Sequence, residues 1–341
     1  MHLLDWPSVS DDLWEACLDR TAAHAANRGL GRRAGSAATG SAAAKEIALV
    51  FFNDSLRTRV SMEMAARQLG AGSVTVVPGQ GTWGFAWGEG KMDGGEAEHI
   101  REAVAVLSRY ADAVGVRLFA SGTDFEADRT EARLHTFAAA SSVPVLNLES
   151  AYHHPCQGLA DAAVIRRHLG DARRKRFVLS WAPHPKPLPM AVPNSALYMA
   201  ARLGMDVTVA RPDGFGLDPV VMERARGLAA GSGGSVTESA DQDGSVEGAD
   251  IVYVKAWGGV GRYHDAAAEA AARASHADWT MTQKRMSTTR DGRFMHCLPV
   301  RRGVVVEDAV LDGRATLHLD QAEHRLHAQK AILEMIWGKL P

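Results

Sequence analysis

The sequence contains only three cysteines, Cys17, Cys156 and Cys297, which are widely spaced and odd in number. This usage argues against a disulfide framework and is typical of a reducing compartment, so we expect a cytoplasmic protein. No stretch reaches the ~20 uncharged apolar residues of a membrane helix, and the first residues lack the basic and apolar regions of a secretory signal. The net charge of -2 provides no global field that would attract nucleic acid or an anionic membrane. Any anion site must therefore be local.

A length of 341 residues exceeds what one hydrophobic core usually supports, which predicts two domains. Short β-rich runs alternate with helical patterns, and this alternation predicts parallel sheets with right-handed crossovers. We therefore expect an α/β protein with two doubly wound parallel-sheet domains, the first over residues 1–155 and the second over 156–321. The final helix could close the second domain or return to the first, and we assign 322–341 to a return.

The predicted elements follow the spacing of apolar residues and of turn residues. An N-terminal helix is expected over residues 8–28 and a Gly-, Ser- and Ala-rich linker over 29–44. The expected strands of the first half are 47–52, 73–77, 113–118 and 143–148, with helices at 59–69, 96–110, 125–140 and 156–169. In the second half we expect strands at 177–181, 206–210, 250–255, 293–298 and 316–319, and a last helix near 322–337.

A strand, a turn and a helix follow one another around Ser55-Leu56-Arg57-Thr58-Arg59. Ligands of open α/β sheets bind beyond the carboxyl ends of the strands, and a helix N-terminus offers free N–H groups to an anion. Two arginines and two hydroxyls suit a phosphate there, because guanidinium groups bind phosphate oxygens as a fork. The competing interpretation is a capped helix whose arginines are merely solvated.

A second buried strand ends at Glu149 and leads into His153-His154-Pro155-Cys156-Gln157. Proline is favoured at the first position of a helix, so Pro155 would place His154 and Gln157 at the mouth of the sheet. These two side chains could bind a carbonyl oxygen and an amide group. A metal site at this segment is disfavoured, because no second ligand pair stands at a zinc-like spacing.

A third motif, His296-Cys297-Leu298-Pro299, also ends a strand, and taken alone its Cys297 is a buried core thiol. Together with Ser55-Leu56-Arg57-Thr58-Arg59 and His154-Pro155-Cys156-Gln157, this motif resembles the aspartate/ornithine carbamoyltransferase family, with similarity from about residue 45 to about residue 338. The resemblance implies two α/β domains and a homotrimer whose active sites are shared between neighbours. It also implies direct attack of an amine on carbamoyl phosphate, with no metal and no cofactor.

By this resemblance, the positions that bind carbamoyl phosphate are Ser55, Leu56, Arg57, Thr58, Trp83, Arg117, His154, Pro155, Cys156, Gln157, Cys297, Leu298 and Arg325. Those implied to be catalytic are Arg57, Arg117, His154, Gln157 and Cys297. Arginines and backbone N–H groups near Ser55 would stabilise the charge that grows on the leaving phosphate. No side chain has to act as a nucleophile. Trp83 would reach the site of a neighbouring subunit.

Ornithine enzymes of the family hold the free α-amino acid with a loop of the type Asp-x-x-x-Ser-Met-Gly. This sequence contains no Ser-Met-Gly. In its place stands Val254-Lys255-Ala256-Trp257-Gly258, which with the Trp83 loop and the segments 92–94 and 181–189 resembles the branch that carbamoylates N-acylated ornithine. The residues implied to contact the acylornithine are Glu149, His184, Lys255, Leu298, Arg301 and Ala97. The competing interpretations are a helix-capping carboxylate for Glu149, packing for Trp83 and Trp257, and a solvated charge for Lys255.

The identity of the acyl group depends on Ala97. In the acetyl branch this place is typically Glu and in the succinyl branch Pro, and a carboxylate there would repel the second carboxylate of a succinyl group. The chain also has Val305 where the acetyl pattern has lysine. We therefore predict transfer of the carbamoyl group to the side-chain amine of N-succinylornithine, or of N-acetylornithine, in arginine biosynthesis. Glu98, the neighbour of Ala97, could supply the missing carboxylate and favour the acetyl form.

Three other interpretations stay open at the level of sequence. A transcarbamylase that has lost the usual loop would act on free ornithine. Gly231-Ser232-Gly233-Gly234 could belong to a dinucleotide-binding dehydrogenase, although no strand leads into a G-x-G-x-x-G pattern. A catalytically silent binding protein could share the fold, because fold alone does not fix function.

Overall fold

A computed structural model of the chain describes residues 1–27, 42 and 44–340. The chain divides into two compact units. Unit 1 consists of Met1–Ala120, Glu126–Leu159 and His324–Pro341, and unit 2 consists of Ser121–Phe125 and Ala160–Glu323. The predicted linker over 29–44 lies outside the described residues, apart from Ala42 and Ala44.

The helices, in chain order, are α1 (Asp11–Ala26), α2 (Leu56–Gln68), α3 (Ile100–Tyr110), α4 (Phe125–Arg129), α5 (Ala132–Ala139), α6 (Pro155–Leu169), α7 (Ala191–Arg202), α8 (Pro219–Ser232), α9 (Gln242–Val246), α10 (Ala266–Ala274), α11 (Gln283–Met286), α12 (Asp308–Leu311) and α13 (His318–Ile336). The strands are β1 (Glu46–Phe51), β2 (Gly72–Pro78), β3 (Gly81–Thr82), β4 (Phe85–Ala86), β5 (Glu98–His99), β6 (Ala113–Arg117), β7 (Val145–Glu149), β8 (Arg176–Trp181), β9 (Asp206–Ala210), β10 (Ser235–Ser239), β11 (Ile251–Lys255) and β12 (Arg293–Met295). Among the described residues, none of the helices combines the length and the apolar character that crossing a membrane requires.

Each unit contains one five-stranded parallel sheet, which confirms the predicted fold class. The strand order is β3-β2-β1-β6-β7 in unit 1 and β10-β9-β8-β11-β12 in unit 2. In each sheet the chain first adds strands on one side and then returns to add them on the other. The order therefore reverses between β1 and β6 and between β8 and β11, and crevices at the carboxyl ends of such strand pairs are the usual ligand sites of open α/β sheets.

The central strands are apolar runs, as expected where helices cover both faces of a sheet. All five residues of β6 and all five of β11 are buried. In unit 1, Val50 and Val116 pack with Ile100, Val104 and Phe137 of the neighbouring helices in one core cluster. The spacing of the two α3 residues, four apart, places both on the face that meets the sheet.

Two contacts close the outer parts of unit 1. Leu3 forms a parallel bridge with Leu146, so the N-terminal segment covers the open edge of β7, a site that would otherwise invite pairing with another chain. Helix α1 is fastened to α13 by Arg20, whose Nε and NH2 groups donate to the Glu334 carboxylate at 2.5 and 2.8 Å. His24 Nε2 lies 3.0 Å from the same carboxylate.

The helix predicted over 125–140 is wrong as a single element, because the chain breaks between α4 and α5. Glu131 lies there in the left-handed region with φ 50°, and its Oε1 accepts hydrogen bonds from Tyr152 N at 2.9 Å and from the Ser150 hydroxyl. These contacts are with residues that follow β7. Tertiary hydrogen bonding therefore overrides the local helix propensity.

The strand predicted over 316–319 is also wrong, because α13 begins at His318. Thr316 forms only a single bridge with Phe294, and Leu317 O accepts from Gln321 N as the helix starts. A four-residue apolar run is too short for periodicity to separate a strand from the start of a buried helix. The sequence interpretation also missed β10, an edge strand in which only Val236 is buried.

The glycine run at 231–234 ends a helix instead of opening one. Gly233 is the C-cap of α8 with φ 82°, and β10 follows it. A Cβ atom on Gly234 would lie 2.3 Å from Met205 O, so a close backbone approach requires glycine there. Dinucleotide-binding glycines lie between a strand and a following helix, the opposite order, so the dehydrogenase interpretation is wrong.

Candidate active site

In unit 1, the turn after β1 forms the N-terminus of α2. Ser55 is the N-cap residue, and its Oγ accepts a hydrogen bond from Thr58 N at 3.1 Å. Asn53 Oδ1 accepts from Phe119 N at 2.8 Å, which ties this turn to the segment that follows β6. The capped turn therefore stands where the strand order reverses, with the positive end of the helix dipole at the carboxyl ends of β1 and β6.

Arg325 of α13 is the most deeply buried cation of this region. Its NH1 donates to Gln157 Oε1 at 2.7 Å and its NH2 donates to Thr58 Oγ1 at 2.8 Å. Both acceptors are neutral groups that hold the guanidinium in place by hydrogen bonding. The contact also orients Gln157, whose Nε2 end must face away from Arg325.

Arg117 ends β6 at an irregularity in the register between Val116 and Arg117. Its NH1 donates to Glu149 Oε2, and its guanidinium carbon lies 4.3 Å from the centre of the Phe119 ring. Among the described residues, no acceptor lies within hydrogen-bonding reach of its buried Nε. A buried N–H of this kind is costly unless a ligand supplies the acceptor. His154 Nε2 lies 3.4 Å from the same oxygen of Glu149.

The two arginines of the motif lie in different environments. Arg59 is half-exposed and donates to Glu63 at 3.2 Å, an ordinary surface pair one helical turn apart. Arg57 is intermediate in exposure. The solvated-arginine interpretation thus fits Arg59, whereas the buried guanidinium groups of this unit are supplied by Arg117 and Arg325.

Helix α6 begins at Pro155, as its sequence position predicts. Cys156 is fully buried in the first turn, beside Arg325 and Gln329 of α13, and burial raises the pKa of its thiol to about 11. The thiol therefore faces α13, and what Cys156 can offer a ligand is its backbone N–H. Among the described residues no three His, Cys, Asp or Glu side chains converge as metal ligands would.

In unit 2, the strand ends at the second reversal carry His184 and Lys255. Lys255 is the register partner of Trp181, and His184 follows Trp181 by three residues. Arg301 Nε donates to His184 Nε2 at 3.1 Å, and His184 Nδ1 lies 2.9 Å from Lys186 O. A histidine that accepts at Nε2 and donates at Nδ1 is the neutral Nδ1–H tautomer. Burial, followed by the charges of Arg301, Lys255 and Arg273, lowers the pKa of His184 and keeps it neutral.

A buried ion pair on α10 supports the His184 segment. Glu269 and Arg273, four residues apart, are both buried and in contact. Arg273 NH1 donates to His184 O at 3.3 Å, so the pair holds the backbone of the histidine as well as its own helix. Burial lowers the pKa of Arg273. Sequence reasoning missed both residues, and the only available signal was a Glu-x-x-x-Arg spacing in an otherwise alanine-rich helix.

The turn after β12 begins earlier than predicted, because the strand ends at Met295. Leu298 lies in the left-handed region with φ 58°, which costs an ordinary L-residue about 1 kcal/mol. Leu298 N donates to His296 Nδ1 at 2.9 Å, and His296 N donates to Gln321 Oε1 at 2.8 Å. With its N–H bonded in this way, Leu298 can offer a ligand its carbonyl oxygen, and Cys297 is held as a buried thiol beside it.

Two further candidates lie on the exposed side of unit 1. Trp83 is 56% exposed, and its Nε1 donates to Glu98 Oε2 at 2.7 Å. Ala97 is exposed as well. Glu98, the neighbour that could have supplied a carboxylate in place of a glutamate at position 97, therefore accepts a hydrogen bond from the Trp83 indole. By contrast, Trp181 and Trp257 are core residues, and their indole N–H groups donate to Trp257 O and Phe215 O.

The predicted residues thus fall into separate groups. Unit 1 brings together Thr58, Gln157 and Arg325 in one set of contacts and Arg117, Glu149 and His154 in another. Unit 2 brings together His184 and Arg301 and holds Lys255, Cys297 and Leu298 at the ends of its strands. The structure shows no contact of Trp83 or Ala97 with these sets among the described residues.

Comparison with known proteins matches both halves of the chain. The family model described as aspartate/ornithine carbamoyltransferase, carbamoyl-P binding domain, matches residues 1–167, and that described as the Asp/Orn binding domain matches residues 190–336. The chain is 44% identical over 299 residues to N-acetylornithine carbamoyltransferase of Xanthomonas campestris pv. campestris, covering 86% of this chain and 88% of the relative. It is 34% identical over 298 residues to N-succinylornithine carbamoyltransferase of Bacteroides fragilis, covering 87% and 89%.

The chain is also similar to a solved structure. The chain matches a mutant of N-acetyl-L-ornithine transcarbamylase with a TM-score of 0.93 and 41% identity, covering 98% of this chain and 99% of that one. In that mutant a glutamate is replaced by alanine, and the crystal contains carbamyl phosphate and N-succinyl-L-norvaline.

The turn at the start of α2 predicts a sharp difference between its two arginines. Arg57→Ala should weaken carbamoyl phosphate binding about 100-fold, or about 3 kcal/mol, because a charge-assisted contact with the phosphate is lost. Arg59→Ala, which breaks only the surface pair with Glu63, should change the affinity by less than about threefold. Calorimetric titration of each variant with carbamoyl phosphate measures both effects. Near-normal affinity of the Arg57 variant would contradict the assignment of this turn.

Proposed function

The chain belongs to the aspartate/ornithine carbamoyltransferase family and is therefore a carbamoyltransferase, and we propose that it carbamoylates the side-chain amine of an N-acylornithine. The reaction gives N-acylcitrulline and phosphate, as a step of arginine biosynthesis. The observation that carries this proposal is the set of N–H donors at the strand-order reversal of unit 1, where the capped N-terminus of α2 lies beside Arg325, which donates to Thr58 and Gln157. Such a place favours an anionic ligand.

Carbamoyl phosphate fits the groups that unit 1 offers. Its phosphate would bind at the N-terminus of α2 between Ser55 and Thr58, with Arg57 as a fork donor. Its carbamoyl group would accept hydrogen bonds from Arg117 Nε and His154, and the Nε2 end of Gln157 would bind nearby. These donors act on the atoms where negative charge grows as the carbon–oxygen bond to phosphate breaks, so they stabilise the transition state.

The amine acceptor is selected by positive charge in unit 2. Lys255 and Arg301 favour a carboxylate, and their charges add to burial, the larger cause, in lowering the pKa of His184. Free ornithine carries an α-ammonium group that this field would repel, whereas an N-acyl group removes that charge. Glu149, although it belongs to unit 1, is the carboxylate we assign to the acceptor. The neutral His184 and the carbonyl oxygen of Leu298 supply hydrogen-bonding partners without adding charge.

Three features favour a succinyl group over an acetyl group. Ala97 presents no carboxylate, and Glu98 is bonded to Trp83. Val305 is a buried apolar side chain where the acetyl pattern has lysine. The relative crystallised with N-succinyl-L-norvaline carries alanine in place of a glutamate, and we assign Ala97 to that place. The higher overall identity to an N-acetylornithine enzyme weighs less, because specificity is decided by the few residues that contact the acyl group.

A direct assay tests this proposal. The purified protein is supplied with carbamoyl phosphate and with ornithine, N-acetylornithine or N-succinylornithine, and the carbamoylated product of each is quantified. We expect kcat/KM for N-succinylornithine to exceed that for free ornithine by at least about 100-fold, since an unpaired charge in the acceptor site is costly. Preference for free ornithine would show instead an ornithine carbamoyltransferase with an altered loop. Absence of phosphate release with every amine would indicate a silent binding protein.

A substitution at position 97 separates the two acyl forms. Ala97→Glu should lower the ratio of succinyl to acetyl kcat/KM by about tenfold or more, because the new carboxylate repels the second carboxylate of the succinyl group. Ala97→Gln has nearly the same size without the charge and should change the ratio by less than about threefold. Equal effects of the two substitutions would show that bulk, not charge, discriminates at this position.

We also assign the chain to a homotrimer with shared active sites. Leu56, Val60 and Met64 of α2 are spaced by four residues, and they are 74%, 46% and 43% exposed. A row of exposed apolar side chains along one helix face is typical of an interface, and a second copy of this chain is the occupant that the family implies. The exposed Trp83, fixed by Glu98, would then serve a neighbouring copy.

Mixing inactive variants tests the sharing of sites. Arg57→Ala and Trp83→Ala should each be nearly inactive alone, but a mixture dissociated and reassembled at equal amounts should recover roughly a quarter of the wild-type activity. This recovery arises because one quarter of the sites then combine an intact Arg57 with an intact Trp83 from another subunit. A mixture of Arg57→Ala with Arg325→Met should recover nothing, since both residues lie in one unit of one subunit. No recovery in the first mixture would refute shared sites.

The state of the cysteines supports a reducing, cytoplasmic location. All three are buried thiols without a disulfide. Burial raises the pKa of Cys17 to about 12, and nearby Glu334 adds to the rise. Such thiols are poor nucleophiles, so they stay reduced without special protection in a compartment that contains glutathione.

A further inference from the structure

A buried polar network of unit 2 ends at the Cys297–Leu298 turn and has no place in the function described above. Its centre is Asp161 on α6, which is completely buried. The Tyr253 hydroxyl donates to Asp161 Oδ2 at 3.0 Å, and Gln321 Nε2 donates to Asp161 Oδ1 at 2.8 Å. Both carboxylate oxygens thus accept from neutral donors, which is the arrangement that keeps a buried carboxylate satisfied.

The network reaches the turn by two routes. The first route runs through Gln321, whose amide is oriented by Asp161. Gln321 Oε1 accepts a hydrogen bond from His296 N at 2.8 Å. His296 in turn accepts from Leu298 N through Nδ1 at 2.9 Å, and so holds Leu298 in the left-handed conformation that L-residues avoid. If the Gln321 amide were reversed, its NH2 group would face the N–H group of His296, and this hydrogen bond would be lost. The Asp161 carboxylate, which accepts from Gln321 Nε2, therefore fixes the amide orientation that holds the turn.

The second route runs through Tyr253 on β11. Its hydroxyl forms hydrogen bonds with both Asp161 and the Cys297 thiol, and burial, followed by these two groups, raises the pKa of Tyr253 well above its ordinary value. The tyrosine therefore stays protonated and donates to Asp161, with the Cys297 thiol beside its hydroxyl. Its ring packs against Phe177 with centroids 6.1 Å apart, so a phenylalanine would keep the shape of the site.

We propose that Asp161 is a positioning residue, which through Gln321 and Tyr253 sets the backbone of Leu298 and the orientation of the Cys297 thiol for the carbamoyl transfer. Asp161 touches neither substrate in this role. The proposal rests on the proposed function for its kinetic consequence, because the family resemblance assigns Cys297 and Leu298 to substrate binding. The geometry of the thiol can be tested independently of that function.

The kinetic test uses Asp161→Asn and Tyr253→Phe. Each variant should lower kcat for the acylornithine reaction about 10- to 100-fold, because misplacement of groups at the reacting centre is costly. The KM for carbamoyl phosphate should change by less than about twofold, since its phosphate is bound by unit 1. The double variant should be little worse than Asp161→Asn alone, because the two residues act through one network. Thr21→Val removes a buried hydroxyl of α1 and should leave kcat unchanged.

The thiol test measures alkylation of Cys297 by iodoacetamide across the alkaline range, with the modified peptides identified by mass spectrometry. Asp161→Asn removes a buried negative charge near the thiol, so the pH midpoint of Cys297 alkylation should fall. Cys17 and Cys156, whose pKa values are raised to about 12 and about 11, serve as internal references that should not move.

A kcat within about twofold of wild type in both variants would overturn the proposal. An unchanged Cys297 midpoint, with only a lowered thermal midpoint of unfolding, would overturn it too, because it would reduce Asp161 to a structural residue. If the wild-type protein carbamoylates no acylornithine, the proposed function fails, but a shifted Cys297 midpoint still establishes that Asp161 controls the thiol.

Discussion

The reversal of strand order in each sheet is the constraint on which the rest of this structure depends. Parallel strands are joined by crossover connections. Where the connections of two adjacent strands run in opposite directions, a crevice forms beyond the carboxyl ends of those strands. In unit 1 this crevice stands between β1 and β6 and receives the capped turn at Ser55 and the side chain of Arg117. In unit 2 it stands between β8 and β11 and receives His184 and Lys255. Apart from Trp83 and Ala97, the groups to which we assign chemistry follow one of these strand ends or contact a residue that does.

The buried arginines near the two strand-order reversals have different partners. In unit 1, Arg325 donates to the neutral oxygens of Thr58 and Gln157, beside the positive end of the α2 dipole. In unit 2, Arg273 is paired with Glu269 inside the protein, and its NH1 donates to the backbone carbonyl of His184. Burial of an arginine costs several kcal/mol unless a negative group compensates it. Two arginines that are both nearly inaccessible to water therefore differ in their partners: Arg325 binds neutral side chains at the proposed phosphate site, and Arg273 binds a carboxylate of its own helix.

The sequence indicated the sheets well because their central strands are long apolar runs that are buried on both faces. It failed where tertiary contacts decide: Glu131 interrupts a helix in order to accept from Tyr152, and the run at 316–319 starts a helix. For the site, motifs pointed to residues that follow strands, because a strand end has a recognisable position in the chain. No such sequence signal identifies the supporting residues Asp161, Gln321, Glu269 and Arg273. They lie in helices and act through residues that are distant in sequence, so only the folded chain brings them to His184 and Cys297.

The attachment of these groups to separate sheets also affects how such an enzyme can diverge. Residues that we assign to the donor are carried by unit 1, and most of those that we assign to the acceptor follow strands of unit 2. A lineage can therefore exchange the acceptor by point changes at His184, Lys255 or Arg301 while the phosphate-binding residues of unit 1 stay unchanged. We therefore expect such proteins to keep the carbamoyl transfer reaction while their amine acceptor changes, because the residues assigned to the two substrates are mostly carried by different units.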